Sequence, residues 1–216
     1  MLEKMAEFFD ARLDGYEEHQ LTSIASAPAF YSFTARCLPQ LPGARVLDLG
    51  CGTGLELGCY WEAVPSAEVT GIDLAPGMLE ALRRKFPDRA MTLILGSYFD
   101  VPFGEGIFDA AVSVESLHHF TMEEKIPLYA KLRKALKDGG YFILTDYFAQ
   151  SEEEERRRRQ ELLRLKREQG LADGVFYHFD TPLTPAHETQ ALTAAGFSSV
   201  ALLRQWGPTA VLKATK

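Results

Sequence analysis

Glycine and carboxylate residues are concentrated in one short segment, Val46–Gly54, which reads VLDLGCGTG. An apolar run ends there in a turn with three glycines, and glycine allows a ligand to approach the backbone closely. A dinucleotide site has the spacing G-x-G-x-x-G and a helix N-terminus that receives a diphosphate. Here Leu55 occupies the last position, and Asp48 would hold a carboxylate against the diphosphate. The segment therefore favours a positively charged ligand over a phosphate.

A second carboxylate lies at the end of the next apolar run, where Asp73 follows Gly54 by 19 residues. A carboxylate at about this distance can accept hydrogen bonds from the hydroxyls of a ribose. Together the two features predict a nucleoside ligand that carries positive charge, and the sulfonium of S-adenosylmethionine fits this description. The alternative is structural: the glycines only turn the chain, and Asp73 caps a helix that begins near Pro76.

Further along, Glu115, His118 and His119 follow an apolar run that reads FDAAVS. Open α/β sheets bind ligands at the carboxyl ends of their strands, which is where these side chains are expected. A base is needed only when an acceptor arrives protonated, and Glu115 or His118 is the candidate for that role. The alternative for either histidine is packing against the cofactor or capping of the next helix.

Aromatic and histidine side chains outside these segments are expected to form a lid or wall over the site. They could orient a small substrate and shield a sulfonium through cation–π contact, although ordinary packing is the alternative for each. The candidates for substrate contact are Tyr147, Tyr177 and His178, and Tyr16 is a further candidate for contact with the reacting groups. The five histidines have no metal-ligand spacing with a carboxylate, so the sequence predicts no metal site.

Short apolar runs alternate with helical segments across the part of the chain that carries these residues. The runs predict five strands, at Arg45–Leu49, Glu68–Ile72, Met91–Leu95, Phe108–Ser113 and Tyr141–Thr145. Helices are expected between them at 54–62, 76–86 and 122–137, with a helix stop and turn at Lys137–Gly140. This alternation predicts an α/β fold of the Rossmann-like, doubly wound kind, with helices on both faces of a mostly parallel sheet.

The flanking segments complete a single domain over residues 1–216. Residues 1–40 are expected to form a helical lid, 45–147 the cofactor-binding core, and 148–216 a long helix, a substrate-side loop and a hairpin. Four glutamates precede four arginines at Glu152–Arg159, which predicts a solvated helix to about Glu168 with i,i+4 ion pairs. A loop at Gly170–Pro185 and a helix at Thr184–Ala195 come next. Ser199–Arg204 and Thr209–Lys213 should then add an antiparallel edge, for seven strands in total.

Composition sets limits on partners and location. The net charge of −7 disfavours nucleic acid, which is usually bound by a concentrated basic surface. The three cysteines offer no zinc spacing and read as reduced thiols of a cytoplasmic protein. The N-terminus has no signal-peptide pattern, and no apolar stretch approaches the length of a membrane span. The protein is expected to be a monomer or a homodimer.

Five segments resemble, in order and spacing, the successive motifs of class I S-adenosylmethionine-dependent methyltransferases. They read VLDLGCGTG, GIDLAPGML, LGSYFDVPF, FDAAVSVESLHHF and LRKALKDGGYFILTDY, and they cover about residues 45–147. The resemblance implies S-adenosylmethionine as cofactor, S-adenosylhomocysteine as product, and in-line displacement of the methyl group. For the methionine half of the cofactor, the resemblance implies contact with Asp48, Gly50, Cys51, Gly52 and Val114, with His119 as a further neighbour. It implies that Asp73 binds the ribose and that Leu74 and Met78 flank the adenine. Ser97 and Tyr98 stand where the family often has an aspartate that binds the adenine amino group.

The flanks are similar in layout to carboxy-S-adenosylmethionine synthase, an enzyme of tRNA modification. By that likeness Tyr16 matches a tyrosine that touches the cofactor. The same enzyme uses an arginine for the extra carboxylate of its product, whereas residues 171–185 contain no Arg or Lys here. Methyl transfer to a small-molecule acceptor is therefore favoured. The carboxylating enzyme, a non-catalytic S-adenosylmethionine-binding regulator and an NAD-dependent oxidoreductase remain as alternatives.

Overall fold

A seven-stranded mixed sheet forms the centre of the protein, in a computed structural model that describes residues 1–172 and 174–216. Asp173, in the predicted loop at 170–185, lies outside the described residues. The strands are β1 (Arg45–Leu49), β2 (Glu68–Asp73), β3 (Met91–Leu95), β4 (Phe108–Val114), β5 (Leu136–Tyr147), β6 (Ser199–Trp206) and β7 (Thr209–Thr215). Their order is β3-β2-β1-β4-β5-β7-β6, and only the pairs that involve β7 are antiparallel. The predicted doubly wound sheet with an antiparallel hairpin edge is confirmed.

Eight α-helices and one 3₁₀ turn surround the sheet in the described part of the chain. They are α1 (Met5–Asp10), α2 (Tyr16–Ser23), α3 (Ala27–Cys37), α4 (Leu55–Ala63), α5 (Pro76–Lys85), α6 (Met122–Ala135), α7 (Glu152–Glu168) and α8 (Pro185–Ala194), with the 3₁₀ turn at Leu117–His119. No helix among the described residues is both long and apolar enough to cross a membrane.

Alternating side chains of the strands build two separate cores, one on each face of the sheet. On β1, Val46 packs with α3, α4 and α5, whereas Leu47 and Leu49 pack with α6 and α8 on the opposite face. Successive side chains of a strand point to opposite faces, so a strand buried on both sides must be apolar throughout. Asp48 is the exception in β1, because it is a carboxylate with no exposed surface.

The helix ends follow from local capping groups. At α6 the backbone N–H of Thr121 donates to Glu124 at 2.8 Å, which completes a capping box. At α7 the Ser151 hydroxyl accepts from the backbone N–H of Glu154 at 3.1 Å. At α8 the Thr184 side chain accepts from His187, and proline occupies the first turn.

Three predictions for residues 122–168 differ from the structure in detail. Helix α6 ends at Ala135 instead of 137, and Lys137–Gly140 lies within β5 instead of in a separate turn. Leu136 of β5 already pairs with Phe108 of β4, and the next pair is Tyr141 with Ala110. The residues between Leu136 and Tyr141 therefore form an irregularity within the strand. Of the four i,i+4 pairs predicted in α7, the structure has only Glu154–Arg158, at 3.9 Å.

Candidate active site

The candidate site lies where the direction of strand order reverses, between β1 and β4. After β3 the chain returns to the other side of β1, so the segments that follow β1 and β4 diverge and leave a crevice between them. The residues after Leu49, Asp73, Val114 and Tyr147 therefore meet at the carboxyl edge of the sheet. This is the edge at which open α/β folds bind their ligands.

The three glycines of the first turn have different roles. A Cβ at Gly50 would lie 2.1 Å from Ser116 Oγ, so this glycine allows the turns after β1 and β4 to touch. A Cβ at Gly54 would lie 2.5 Å from Leu82, which assigns that glycine to helix packing. Only at Gly52 does the position face open space, with the Tyr16 hydroxyl nearest at 3.9 Å and a φ of +48° that favours glycine. Close approach of a ligand to the backbone is thus provided by Gly52.

Asp73 is fixed by backbone amides from two segments. Its Oδ2 accepts from Gly52 N and its Oδ1 accepts from Ala75 N, both at 2.9 Å. Burial raises the pKa of Asp73, and these N–H groups oppose that shift. The residue therefore holds the glycine turn against the start of α5, as the structural alternative expects, and at the same time lines the crevice.

Asp48 lies behind the crevice surface. It is fully buried beside Glu56, and neither of its carboxylate oxygens has a hydrogen-bond partner among the described residues. Burial raises its pKa well above the usual range, and the neighbouring Glu56 raises it further. Such a buried carboxyl group is stabilised by positive charge placed close to it. The side chains of Cys51 and Ser97 also lie outside the crevice lining: Cys51 packs towards Gly71, and Ser97 accepts from the N–H of Phe99.

The crevice itself has a volume of about 50 Å³ and brings together most of the predicted cofactor residues. The predicted residues in its lining are Tyr16, Gly50, Gly52, Asp73, Leu74, Met78, Tyr98, Val114 and His119, to which the structure adds Met5, Phe9, Glu115 and Ser116. No lysine or arginine belongs to this lining in the part of the chain that the structure describes. A lining with the carboxyl groups of Asp73 and Glu115 and no basic side chain among the described residues therefore suits a cationic sulfonium nucleoside and does not suit a diphosphate.

A larger cavity of about 820 Å³ adjoins the crevice. Four residues line both spaces, namely Phe9, Tyr16, Glu115 and His119. Of the predicted substrate residues, Tyr147 and His178 line the cavity. The third, Tyr177, does not: its ring lies 5.8 Å from Lys166 Nζ, and its backbone forms a bridge to the N-terminal segment.

His118 is held by a carboxylate that the sequence did not single out. Its Nδ1 lies 2.6 Å from Asp146 Oδ1, and the other oxygen of Asp146 accepts from Leu117 N at 3.0 Å. Burial lowers the pKa of His118, but the carboxylates of Asp146, Glu115 and Asp180 outweigh burial and raise it to about 9. The bond to Asp146 fixes the ring and turns Nε2 towards the cavity, where Asp180 Oδ1 lies 3.6 Å away.

Glu115 occupies the boundary between crevice and cavity. Its backbone has a positive φ of 49°, which is uncommon for a residue other than glycine, asparagine or aspartate. Thr209 donates to its Oε1 at 3.3 Å. Burial raises the pKa of Glu115 to about 7, and the nearby Asp146 adds to the shift.

His119 and His178 complete a histidine cluster beside Asp180. His119 Nδ1 lies 3.3 Å from Asp180 Oδ1 and 3.2 Å from the carbonyl oxygen of Phe179. Burial lowers the pKa of His119, and it lowers that of His178 to about 4. The His178 ring stacks on Phe8 of α1 with the centroids 3.5 Å apart. Both rings are therefore neutral near pH 7.

The N-terminal helices cover the site. In α1, Asp10 accepts from Gly77 N at 3.0 Å, and Lys85 of α5 pairs with Glu17 of α2 at 2.7 Å. Burial raises the pKa of Tyr16, followed by the effect of Asp73, so this side chain is a neutral phenol rather than a base. Helix α3 packs in the core instead of over the site. Within the predicted 1–40 lid, the residues that line the crevice and the cavity come from α1, α2, the segment that joins them, and Ile24 and Ala25 after α2.

The site includes four residues that were not predicted from the sequence, and only one of them could have been found from its position along a strand. Asp146 directly precedes Tyr147 at the end of β5, so the carboxyl-edge rule could have found it. Asp180 comes to His119 from a loop 61 positions away in the chain, and no local pattern indicates this approach. Met5 and Phe9 reach the crevice only because the N-terminal segment folds back over it.

Residues 46–140 match the family described as methyltransferase domain. A protein of Synechocystis described as an uncharacterized methyltransferase is 32 % identical over 124 residues, which cover 57 % of this chain and 57 % of that protein. The demethylmenaquinone methyltransferase of Symbiobacterium thermophilum is 30 % identical over 146 residues, which cover 63 % of this chain and 56 % of that one. Human N-acetylserotonin methyltransferase, solved in complex with S-adenosylmethionine, has a similar fold, with a TM-score of 0.62 at 22 % identity, covering 88 % of this chain and 52 % of that chain.

The match over residues 46–140 identifies a methyltransferase domain in this chain. The fold and the curated relatives are similar to class I S-adenosylmethionine-dependent methyltransferases. The chain's matches span between 36 % and 57 % of the length of the curated relatives.

Proposed function

We propose that this protein transfers a methyl group from S-adenosylmethionine to a small-molecule acceptor. The observation that carries the proposal is that the crevice and a cavity of about 820 Å³ lie side by side and share four lining residues. Pockets for small molecules usually enclose about 300–1,000 Å³. The demethylmenaquinone methyltransferase among the relatives acts on a small molecule and supports this acceptor class.

On the cofactor side, three features suit S-adenosylmethionine. Asp73 offers ribose hydroxyls a carboxylate that two amides hold in place. Leu74 and Met78 give the adenine an apolar surface. A positive charge on the methionine half would favour the ionised form of the buried Asp48 carboxyl, whose pKa burial raises. When bound, the cofactor supplies an activated methyl group on a sulfonium.

On the acceptor side, Glu115 is the side chain best placed to receive a proton, because it lines crevice and cavity together. With the methyl donor bound, the acceptor's lone pair would form the new bond to the methyl carbon as the carbon–sulfur bond breaks, and the electron pair would remain on the sulfur of S-adenosylhomocysteine. An acceptor that arrives protonated gives its proton to Glu115. Tyr147 and His178 then contact the acceptor, and α1 and α2 exclude water from the reacting groups.

The alternatives are less well supported. Carboxy-S-adenosylmethionine synthesis calls for a cationic group near the product carboxylate. Residues 171–185 contain no Arg or Lys, and Arg12 in the cavity lining already pairs with Glu3. A silent regulator has no need for a cavity lined by Glu115 and His118. NAD would place its diphosphate beside Asp73 and Glu115 without a basic partner in the described crevice lining.

The test is transfer of isotope-labelled methyl groups from S-adenosylmethionine into separate pools of small metabolites, RNA and protein. We expect label in the small-metabolite pool, a strong loss with Glu115→Gln, and no change with Asp109→Asn. The control carboxylate accepts from Lys137 near the start of β4, far from the carboxyl edge. Label confined to RNA or protein would refute the acceptor class, and no label in any pool would refute catalysis.

A further inference from the structure

We infer that His118, His119 and Asp180 form a binding site for a divalent first-row transition-metal ion on the wall of the larger cavity. Asp180 Oδ1 lies 3.6 Å from His118 Nε2 and 3.3 Å from His119 Nδ1. One ligand atom from each of the three residues lies within 4.8 Å of those of the other two. Binding of a metal ion at this site would be a property separate from the proposed methyl transfer, and it does not depend on that proposal.

The separations match those of ligands around one ion. Zinc-to-nitrogen and zinc-to-oxygen bonds are about 2.0–2.2 Å, so two ligands of a tetrahedral ion lie about 3.4 Å apart. Both measured distances to Asp180 are close to this value. Two of the three separations therefore suit one ion as they stand, and the ligand atoms of the two histidines lie within 4.8 Å of each other.

Asp146 orients the first ligand in the manner seen at metal sites. A metal-bound histidine usually donates its other ring N–H to a carboxylate, which fixes the tautomer and leaves the second nitrogen for the ion. His118 has this arrangement, with Nδ1 on Asp146 and Nε2 towards Asp180. The frame is rigid, since Thr181 N donates to the carbonyl oxygen of His118 at 2.8 Å and ties the loop of Asp180 to the 3₁₀ turn.

The second histidine must change its hydrogen bond to serve as a ligand. His119 Nδ1 also lies 3.2 Å from the Phe179 carbonyl oxygen, a contact that requires a proton on Nδ1. Binding of an ion through Nδ1 moves that proton to Nε2 of the same ring. The ring remains neutral in both forms, so the exchange involves no change in net charge.

The charge balance around the cluster favours a cation. Carboxylates of Asp146, Asp180 and Glu115 surround His118. Among the described residues that line the cavity, the only lysine or arginine is Arg12. Its guanidinium already makes two hydrogen bonds to Glu3, at 3.0 and 3.1 Å. The carboxylates outnumber the one imidazolium, His118, and a divalent ion bound there would displace the proton of His118 Nε2, which leaves to solvent.

The ligand set indicates which ions fit. Two imidazoles and one carboxylate suit Zn²⁺, Fe²⁺ or Co²⁺ better than Mg²⁺ or Ca²⁺, which prefer oxygen ligands. Three protein ligands leave coordination positions open, as at catalytic metal sites. The cluster belongs to the lining of the cavity, so an acceptor oxygen could take one of them and be polarised there.

The experiment titrates cobalt(II) into tag-free, chelator-treated protein and follows ligand-field absorption, with bound metal counted by mass spectrometry. We expect one Co²⁺ per chain and at least a tenfold loss of affinity in both Asp180→Asn and His119→Gln. Asp146→Asn should weaken binding about 10- to 100-fold, as removal of a carboxylate behind a ligand does. The matched control is His187→Gln, since that histidine pairs with Glu155 away from the cavity.

Asp180 is the most informative position because its side chain is 37 % exposed and its replacement should not prevent folding. Circular dichroism and binding of S-adenosylhomocysteine check that each variant is folded. Binding of S-adenosylhomocysteine to the metal-free protein tests the proposed function separately, so a failure of the metal site can be told apart from a failure of that function. Absence of stoichiometric Co²⁺ would overturn the inference. Binding that is unchanged in Asp180→Asn and His119→Gln would overturn it as well.

Discussion

Replacement of Asp73 by asparagine tests the proposed binding site for S-adenosylmethionine. In the structure each carboxylate oxygen accepts one backbone N–H at 2.9 Å, from Gly52 and from Ala75. Asparagine keeps one acceptor and turns an amino group towards the other N–H, so the turn loses one hydrogen bond. A ribose hydroxyl loses a charged acceptor as well, at a cost of about 1.5–3 kcal/mol. That cost corresponds to an increase of about 10- to 150-fold in the dissociation constant.

Calorimetry with S-adenosylhomocysteine and with its 2′,3′-dideoxy analogue separates the two effects. The unmodified protein should prefer the ribose form by about tenfold or more, and Asp73→Asn should lose this preference. Asp109→Asn is the matched control, because Asp109 also accepts a backbone N–H, from Arg45 at 2.9 Å. A folded Asp73→Asn protein that binds both ligands as the unmodified protein does would refute the role of this carboxylate.

Three further predictions concern pH, stability and the covering helices. Burial and Glu56 raise the folded-state pKa of Asp48 above its unfolded value, so ionisation of Asp48 should lower the stability of the cofactor-free protein as the pH rises. The unfolding temperature, measured from about pH 5 to pH 8, should therefore depend less on pH in Asp48→Asn. Lys125→Met should lower the free energy of unfolding in urea by about 3–5 kcal/mol, because it leaves Glu188 buried without its cation. Adding Glu188→Gln should recover part of the loss, since the amide oxygen can still accept from the Tyr129 hydroxyl. S-adenosylhomocysteine should slow hydrogen exchange over residues 5–23, since Phe9 and Tyr16 of this segment line the crevice.

Much of the fold follows from local patterns in the sequence. Continuous apolar runs such as Val46–Leu49 are typical of strands covered on both faces, and the alternation with helices indicates parallel pairing. The hairpin at Trp206–Thr209 was predictable because only a tight turn separates two strands. The pattern at Lys137–Gly140 misled because its glycines mark an irregularity within a strand as readily as a turn between elements.

The candidate site was predictable where chemistry depends on position along one strand end. Gly52 and Asp73 stand next to the carboxyl ends of neighbouring parallel strands, so their spacing alone places them together. Asp48 follows the same logic only in part, because the alternation of the strand turns its side chain beneath the crevice. The functions given to His118 and Tyr16 stay predictions.

Long-range contacts account for what could not be predicted. Asp180 approaches His118 and His119 only after the loop before α8 has packed against the 3₁₀ turn. The N-terminal segment reaches the crevice through a bridge between Lys4 and Tyr177, and hydrophobic periodicity carries no information about that pairing. The same bridge explains why Tyr177 is absent from the described lining of the cavity while its neighbour His178 belongs to it.

A crystal structure with S-adenosylhomocysteine bound tests the central claim most directly. We predict the ribose hydroxyls on Asp73, the adenine between Leu74 and Met78, and the sulfur directed towards Glu115 and the larger cavity. Because the crevice holds only about 50 Å³, Phe9 and Tyr16 should move outwards to admit the nucleoside. A nucleoside bound elsewhere, or a crevice that stays closed at saturating ligand, would contradict the account.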